Sequence, residues 1–277
     1  MSSRIGFRLV VAAVVAIVLG VTPAVAAPVV FSAAGPNAAA ISPTVDLFRA
    51  VLGNPNNGNA AGPLPTGRRE INWDGGGIAT TPAPTPFTGF QNNRGALFQT
   101  PGTGFVQATP EGLDTFFGRG DALYDTIFEP FSPARVFTPV GSTITDVTFF
   151  IPGTGGATPA FVTGFGAVFS DVDLANVTSL QFFDLGGNSL GTFFAPAIGG
   201  NQTFSFLGVS FNAGELIGRV RITSGNVALG STSTAIDQVV IDDLLFSEPQ
   251  VIPEPATLAL VLAGVAALGR RRFNVQK

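Results

Sequence analysis

Several chemically active residue types are missing from this 277-residue chain, which has no cysteine and no histidine and carries its single lysine at the last position, Lys277. Without histidine and cysteine, Ser-His-Asp and Cys-His catalysis are excluded, as are metal sites built on imidazole or thiolate. The lack of lysine elsewhere excludes Schiff-base chemistry and a phosphate-binding P-loop. Because no disulfide can form, the fold must be held together by its apolar core.

The first 26 residues have the three parts of a secretory signal peptide. Arg4 and Arg8 supply a positively charged start, an apolar stretch follows at 9–19, and small residues at 24–26 offer a cleavage site. We therefore predict that signal peptidase removes residues 1–26 and that the rest of the chain is exported.

The C-terminal segment, residues 251–277, also has three parts in a fixed order. They are the triplet Pro253, Glu254 and Pro255, the apolar run 256–268, and the basic cluster Arg270, Arg271 and Arg272. As a helix the apolar run would be about 20 Å long, shorter than a hydrocarbon core of roughly 30 Å, but local thinning and snorkelling arginines can close that gap. Arginines directly after an apolar segment hold that end in the cytoplasm. We predict a hydrophobic helix that transiently anchors the exported chain in the inner membrane.

This arrangement of the last 25 or so residues resembles the PEP-CTERM sorting signal of bacteria that produce exopolysaccharide. The resemblance implies that a membrane protease-transpeptidase, exosortase, reads the motif and cuts near it. The protein would then be released or attached at the cell exterior. Pro253, Glu254 and Pro255 would be recognition residues for that enzyme, and Arg270, Arg271 and Arg272 would set the orientation in the membrane.

The exported body is acidic. Between Ala27 and Ile252 there are eight arginines against seventeen acidic residues, a formal net charge of −9, whereas the whole chain carries −4. Nucleic acids and anionic lipid surfaces bind basic patches, so neither is expected as a partner. The acidic balance suits solubility outside the cell and attraction to cations.

The pattern of the exported body, residues 27–250, predicts a mainly β protein. From about residue 131, segments of five to ten residues alternate apolar and polar side chains and are separated by clusters of Gly, Pro, Asn and Ser. Glycines and an asparagine at 186–188 tolerate the positive φ of a tight turn and indicate a hairpin. The 26 phenylalanines suit a core between two sheets. We predict an antiparallel β-sandwich of the jelly-roll type.

The start of the body, residues 27–67, is rich in Gly, Pro, Asn and Ala and is predicted to be mostly loop. One short accessory helix is expected at 43–52, because Ser42 is a good N-cap, Pro43 suits the first helical position and Gly53 can end the helix. Its apolar side chains share one face and predict packing on the body; they are Val45, Phe48 and Leu52, with Leu47 and Val51 beside them.

Two aromatic residues are candidates for sugar binding. Trp73, the single tryptophan, lies beside charged residues, and Tyr124, the single tyrosine, lies in the stretch 110–130, which lacks clean periodicity and is predicted to be loop. Either ring could serve as a platform for a sugar. For Trp73 we favour a structural role, in which Ile71 and Trp73 of one strand point into the core, because an amphipathic tryptophan is commonly a core anchor.

Four carboxylates are candidates for a structural calcium site. Asp171 and Asp173 are expected to alternate on one strand face, and Asp242 and Asp243 lie in the last predicted strand. Carboxylates suit Ca²⁺ in an exported acidic protein. The alternative is that these acids simply end strands and face water.

The sequence favours an exported, non-catalytic protein of the cell surface or extracellular matrix, associated with exopolysaccharide or biofilm. The first alternative is a carbohydrate-binding module of the jelly-roll type. A polysaccharide-acting enzyme is the third possibility, since paired-carboxylate and Arg- or Tyr-based chemistry survive the missing residue types. No pair of acids is marked out by its spacing, and a β-sandwich by itself does not indicate catalysis.

Overall fold

The computed structural model describes residues 27–75, 83–118, 123–230 and 237–253. The described residues form a mainly β structure with antiparallel sheets and three helices. The predicted signal peptide at 1–26 and the predicted C-terminal helix at 256–268 lie outside the described residues.

The described part of the chain contains fourteen strands. In chain order they are β1 (Val29–Gly35), β2 (Arg68–Ile71), β3 (Ala96–Gln99), β4 (Gly104–Ala108), β5 (Val136–Val140), β6 (Ile144–Phe149), β7 (Ala160–Phe161), β8 (Gly164–Ser170), β9 (Ser179–Asp184), β10 (Ser189–Phe194), β11 (Phe204–Ser210), β12 (Ile217–Thr223), β13 (Val240–Ser247) and β14 (Gln250–Val251). The helices are α1 (Ala38–Leu52), α2 (Pro110–Phe117) and α3 (Tyr124–Ile127).

Two large antiparallel sheets contain most of the strands. The seven-stranded sheet has the order β1-β11-β8-β13-β5-β4, with β2 also paired to β13, and the five-stranded sheet has the order β10-β9-β12-β6-β3. The last pair, β14 and β7, stands apart. The predicted hairpin at 184–188 is confirmed as the connection between β9 and β10, where the Asp184 amide donates to the Asn188 carbonyl at 2.9 Å.

One apolar core is shared by the two large sheets. It contains buried side chains of β8, β11 and β13 from the larger sheet and of β6, β9 and β12 from the smaller one. Trp73 is fully buried in this core, with its ring stacked on Phe137 at a centroid distance of 3.9 Å. Its Nε1–H donates to the Asp242 carbonyl at 2.7 Å, which satisfies the polar edge of the indole. The burial of Trp73 in the core agrees with the structural role predicted for it. The predicted shared strand is wrong, because β2 ends at Ile71 and Trp73 follows it with a positive φ of 64°.

The opposite face of the seven-stranded sheet is covered by the helices. Strand side chains alternate between faces, so Phe169 belongs to the shared core whereas Val168 packs under α1. Helices α2 and α3 contribute to a third cluster, which contacts β4, β5 and β13. Because both faces are covered, every residue of β8 and β13 is buried. This explains why β8 reads as a nearly continuous apolar run rather than with the alternation predicted after residue 131.

Helix α1 begins earlier than the predicted 43–52. Its N-cap is Asn37, whose side chain accepts a hydrogen bond from the Ala40 amide at 3.1 Å, and not Ser42. Pro43 lies inside the helix, and the Ser42 hydroxyl donates to the Ala38 carbonyl at 2.7 Å. The extension is favoured by the high helix propensity of alanine and by Ile41, which is buried one turn before the predicted apolar face. The burial of Val45, Phe48 and Leu52 is confirmed, whereas Leu47 and Val51, predicted beside them, point away from the body and are exposed.

Two further segments differ from their predicted loops. Residues 29–35 form the edge strand β1, which pairs along its whole length with β11. Main-chain hydrogen bonding to a sheet edge needs no strong side-chain pattern, which is why the sequence did not predict this strand. The stretch 110–130 contains α2 and α3. Thr109 caps α2 by accepting from the Gly112 amide at 3.2 Å, and Gly118 ends it with φ +65°.

Phe48 of α1 lies against two glycines that face each other across β8 and β11, Gly166 and Gly208. A Cβ atom at Gly166 would lie 2.8 Å from Cε1 of Phe48 and 3.0 Å from Cα of Gly208. Contacts this short force neighbouring atoms to move, and one of these neighbours is backbone. The close approach of the helix to the sheet therefore depends on glycine.

We expect Gly166→Ala to lower the free energy of unfolding by about 1–3 kcal/mol, because the added methyl overpacks the interface between α1 and the sheet. Urea unfolding of the purified protein measures this. Gly199→Ala is the matched control, since a Cβ there meets no atom within 4 Å. Equal stability of the two variants would contradict the packing described for Phe48.

Candidate functional site

The chain leaves the folded body at β14, where the predicted sorting segment begins. β14 pairs with β7, and Nε2 of Gln250 donates to the Leu64 carbonyl at 2.8 Å. Pro253 is exposed. The other residues predicted for sorting and orientation, Glu254, Pro255, Arg270, Arg271 and Arg272, lie outside the described residues. Among the helices that the structure describes, none combines the length and the apolar character needed to cross a membrane.

A buried ion pair holds the chain just before this exit. Nε and Nη2 of Arg69 donate to the two carboxylate oxygens of Glu248, both at 2.6 Å. Nη1 of Arg69 donates to the carbonyls of Gly58 and Ala60 at 2.7 Å each, and the Leu64 amide donates to Glu248 at 3.2 Å. Both side chains are buried, and the pair has the extra hydrogen bonds that offset the cost of removing charges from water. The pair thus fastens the loop before β2 to the end of β13.

Three acidic residues lie near one another beyond the end of β8. Asp171 and Asp173 were predicted on one strand face, but β8 ends at Ser170, and Asp171 takes the left-handed conformation with φ +69°. As a result Asp171 is buried and Asp173 is exposed. The carboxylate of Asp237 accepts the amides of Asp173 and Leu174, each at 3.1 Å, and joins this turn to the segment before β13.

The Asp171 carboxyl has an unusual environment. The residue is 5 % exposed, and its Oδ1 atom has no hydrogen-bond partner among the described residues. Burial, followed by the charges of Asp173 and Asp237, raises the pKa of Asp171 to about 8. Burial also raises the pKa of Asp237, although its two accepted amides oppose that effect. As placed, no three acidic side chains within the described ranges are close enough to hold a metal ion.

The other predicted calcium ligands, Asp242 and Asp243, lie elsewhere and have partners of their own. Both are buried in β13 at a bulge, and the Ser132 hydroxyl donates to each of them. Asp242 also accepts the Phe131 amide, and Asp243 lies 3.6 Å from a guanidinium nitrogen of Arg49. Burial raises the pKa of both carboxyls, for Asp242 well above its ordinary range. The structure therefore does not bring the four predicted ligands together, since the bulge places this pair beneath residues 131–132.

Neither predicted sugar platform is accessible. Trp73 is fully buried, as described above. Tyr124 is also buried: its ring stacks on Phe128 at 5.4 Å, and its hydroxyl accepts the Gly230 amide at 2.7 Å. A sugar platform must present a ring face to solvent. Because both rings are buried, the prediction that they bind a sugar is wrong.

A polar pocket beside Trp73 was not identified from the sequence. It has a volume of about 220 Å³, and Phe90, which meets the Trp73 ring edge-to-face at 5.5 Å, forms part of its wall. Its other principal lining side chains are Phe87, Asn59, Asn72, Asn93, Arg94 and Gln107. Oδ1 of Asn93 is buried without a partner among the described residues. These amides come from separate loops and, for Gln107, from β4, so no spacing in the sequence marks them as a group.

Comparison with known proteins identifies the C-terminal segment. The family model of the PEP-CTERM protein-sorting motif matches residues 251–272. The predicted resemblance is confirmed, and the PEP-CTERM motif indicates an exported protein that exosortase sorts. It begins at Val251, the last residue of β14, so the folded body and the motif are contiguous.

The body of the chain has little similarity to known proteins. No curated protein matches the sequence. A solved structure, the enzymatically active domain of tailspike protein 4 of bacteriophage CBA120, matches 61% of this chain with 14% sequence identity and a TM-score of 0.28. The chain spans 21% of that structure's length. At this TM-score the match indicates neither a shared fold nor a shared activity.

We expect Glu248→Gln to lower the free energy of unfolding by about 3–5 kcal/mol, because it leaves the Arg69 guanidinium buried without a counter-charge. Urea unfolding monitored by Trp73 fluorescence measures the loss. Asp46→Asn is the control. It removes one of the carboxylates that contact Arg49, at a position where Asp46 is 67% exposed, and should change stability by about 0.5 kcal/mol or less. Similar losses in the two variants would mean that the buried pair does not stabilise the exit of the chain.

Proposed function

We propose that this chain is a non-catalytic protein of the cell surface or extracellular matrix that associates with exopolysaccharide. Signal peptidase removes residues 1–26, the C-terminal segment holds the chain transiently in the inner membrane, and exosortase processes it near Pro253. The observation that carries this proposal is the PEP-CTERM motif at residues 251–272, which begins at the last residue of the last strand. The scaffold is a β-sandwich of the jelly-roll type, an inference supported by the single core that both large sheets share.

The position of the motif supports recognition by a second protein. Pro253 is exposed, and the chain before it is fastened by β14 and by the pair of Arg69 and Glu248. Between Val251 and the apolar run at 256–268 there are four residues, which span at most about 14 Å when extended. With the apolar run in the membrane, the folded body is therefore held against the membrane surface, where a membrane-embedded protease can reach the motif.

We expect replacement of Pro253, Glu254 and Pro255 by alanine to block processing. In the native host, the wild-type protein should be shortened near residue 253 and leave the membrane fraction, whereas the variant should stay full-length and membrane-bound. Cell fractionation with mass spectrometry of the C-terminus measures both results. Alanine replacement of Asn274, Val275 and Gln276 is the matched control and should leave processing unchanged. If wild type and variant both remain uncut, the segment is a plain anchor and the sorting proposal is wrong.

Carbohydrate binding is the second candidate function. The pocket beside Trp73 favours it, but the residues that would bind the sugar differ from those predicted from the sequence. Amide and guanidinium groups from Asn72, Asn93 and Arg94 line the pocket with the ring of Phe90. Polar groups that converge beside an aromatic wall are what a sugar site needs. An enzyme has less support, because the contacting carboxylates Asp242 and Asp243 are buried rather than open to a substrate.

We expect Asn93→Ala to weaken binding of the host's isolated exopolysaccharide by about tenfold, the cost of leaving hydrogen bonds unmade in a site built for them. Affinity electrophoresis of the protein in gels containing the polysaccharide measures retention. Asn201→Ala, a change of an exposed asparagine outside the pocket, should bind like wild type. Absence of retention for wild type, or equal retention of both variants, would remove the pocket as a carbohydrate site.

A further inference from the structure

The Asp171 carboxyl differs from the other buried carboxyls because no donor balances it. Glu248 is paired with Arg69, Asp243 with Arg49 and Ser132, and the Asp114 carboxylate accepts three main-chain amides. Asp171 is equally buried, yet among the described residues its Oδ1 accepts no hydrogen bond. A buried polar atom without a partner is costly, and native structures rarely leave one unmatched.

The groups around Asp171 add negative charge rather than remove it. Asp173 follows it in the same turn, and Asp237 is held beside that turn by two amide hydrogen bonds at 3.1 Å. Neither Asp242 nor Asp243 is among the charges that act on Asp171. A site with an orphaned carboxylate oxygen and two further carboxylates nearby is complementary to a cation.

We propose that Asp171, together with Asp173 and Asp237, binds a calcium ion at the end of β8. The metal-ligand atoms that these three side chains offer are all carboxylate oxygens, which hard divalent cations prefer. Ca²⁺ accepts irregular sets of six to eight oxygens. Mg²⁺ requires a near-ideal octahedron, which fits this open turn less well.

The three carboxylates do not converge on one point as placed. Calcium needs fewer than three carboxylates when main-chain carbonyls and water complete its shell. Asp171 is the buried anchor of the site. Asp173 is exposed, and its Oδ1 accepts the Gly200 amide at 3.0 Å, so its side chain can turn toward an ion by giving up one surface hydrogen bond and without disturbing the core. Asp237 is fixed by its accepted amides and keeps the turn in position.

A bound proton is the alternative to a calcium ion for neutralising the Asp171 carboxylate. Stabilisation by the proton and stabilisation by calcium differ in their pH dependence. The pKa of Asp171 in the folded state, about 8, is above its ordinary value of 3.8. The folded state therefore binds more protons than the unfolded state between roughly pH 4 and 8, and this residue makes the ion-free protein less stable as the pH rises through that range. Calcium competes with the proton, so the stabilisation by calcium should grow with pH across the same range.

The test is thermal unfolding of the full-length chain, purified in detergent, in CaCl₂, in MgCl₂ and in EDTA at pH 6 and pH 8.5. At a calcium concentration about 100-fold above the Kd, we expect Tm to rise by about 5–10 °C at pH 8.5, by less at pH 6, and by less with magnesium. An unchanged Tm in millimolar CaCl₂ at pH 8.5 would overturn the proposal, and so would an equal shift with magnesium.

Two variants locate the ion. Asp171→Asn preserves the shape of the side chain, and asparagine tolerates the left-handed backbone at this position. We expect this variant to lose the calcium shift while being at least as stable as wild type in EDTA at pH 8.5, because a buried charge has been removed. A purely structural Asp171 would instead lower Tm equally in calcium and in EDTA.

Asp173→Asn is the second variant and changes an exposed residue, so it remains informative if Asp171→Asn does not fold. It should also lose most of the calcium shift. Glu215→Gln, a control outside the site, should keep it. A calcium shift that survives in Asp171→Asn or in Asp173→Asn would place the ion elsewhere and would overturn the assignment.

Discussion

The burial of both faces of the seven-stranded sheet is the constraint on which the rest of the structure depends. A chain without disulfides must bury enough apolar surface to offset its conformational entropy, and here the sheet packs on a second sheet on one side and on helices on the other. That arrangement explains the phenylalanine-rich core, the paired glycines under Phe48 and the complete burial of β8 and β13. It also leaves no solvent-facing side for a charged residue in those strands.

Charges inside such a sheet need partners, and the structure shows how they are supplied. Asp242 and Asp243 sit at a bulge of β13, which lets residues from a neighbouring loop donate to both. Glu248, one residue past the same strand, meets Arg69 in a fully hydrogen-bonded pair. Asp171, one residue past β8, has a carboxylate oxygen, Oδ1, that no donor in the described part of the chain reaches. The contrast between these neighbours, rather than the number of acidic residues, singles out the turn after β8.

Some of these buried contacts lie directly beside the PEP-CTERM motif. The pair of Arg69 and Glu248 and the short strand β14 hold the chain up to Val251, where the motif begins. The described body therefore ends at a defined point, with Pro253 exposed.

The sequence by itself indicated the C-terminal sorting motif, the mainly β character, strands after about residue 131 and the burial of Trp73 in the core. These depend on local composition and on periodicity, which a linear pattern records.

Tertiary structure decided the rest. Edge pairing made a strand of residues 29–35, and packing on the sheet extended α1 through Pro43. Separation along the chain does not reveal which carboxylates lie close together in the fold. Asp171 and Asp237 are 66 positions apart, yet Asp237 orders the turn that contains Asp171. Burial and pairing of charges are properties of three-dimensional packing. No spacing along the chain could therefore have separated Asp242, which accepts hydrogen bonds from residues 131 and 132, from Asp171, whose Oδ1 has no partner among the described residues.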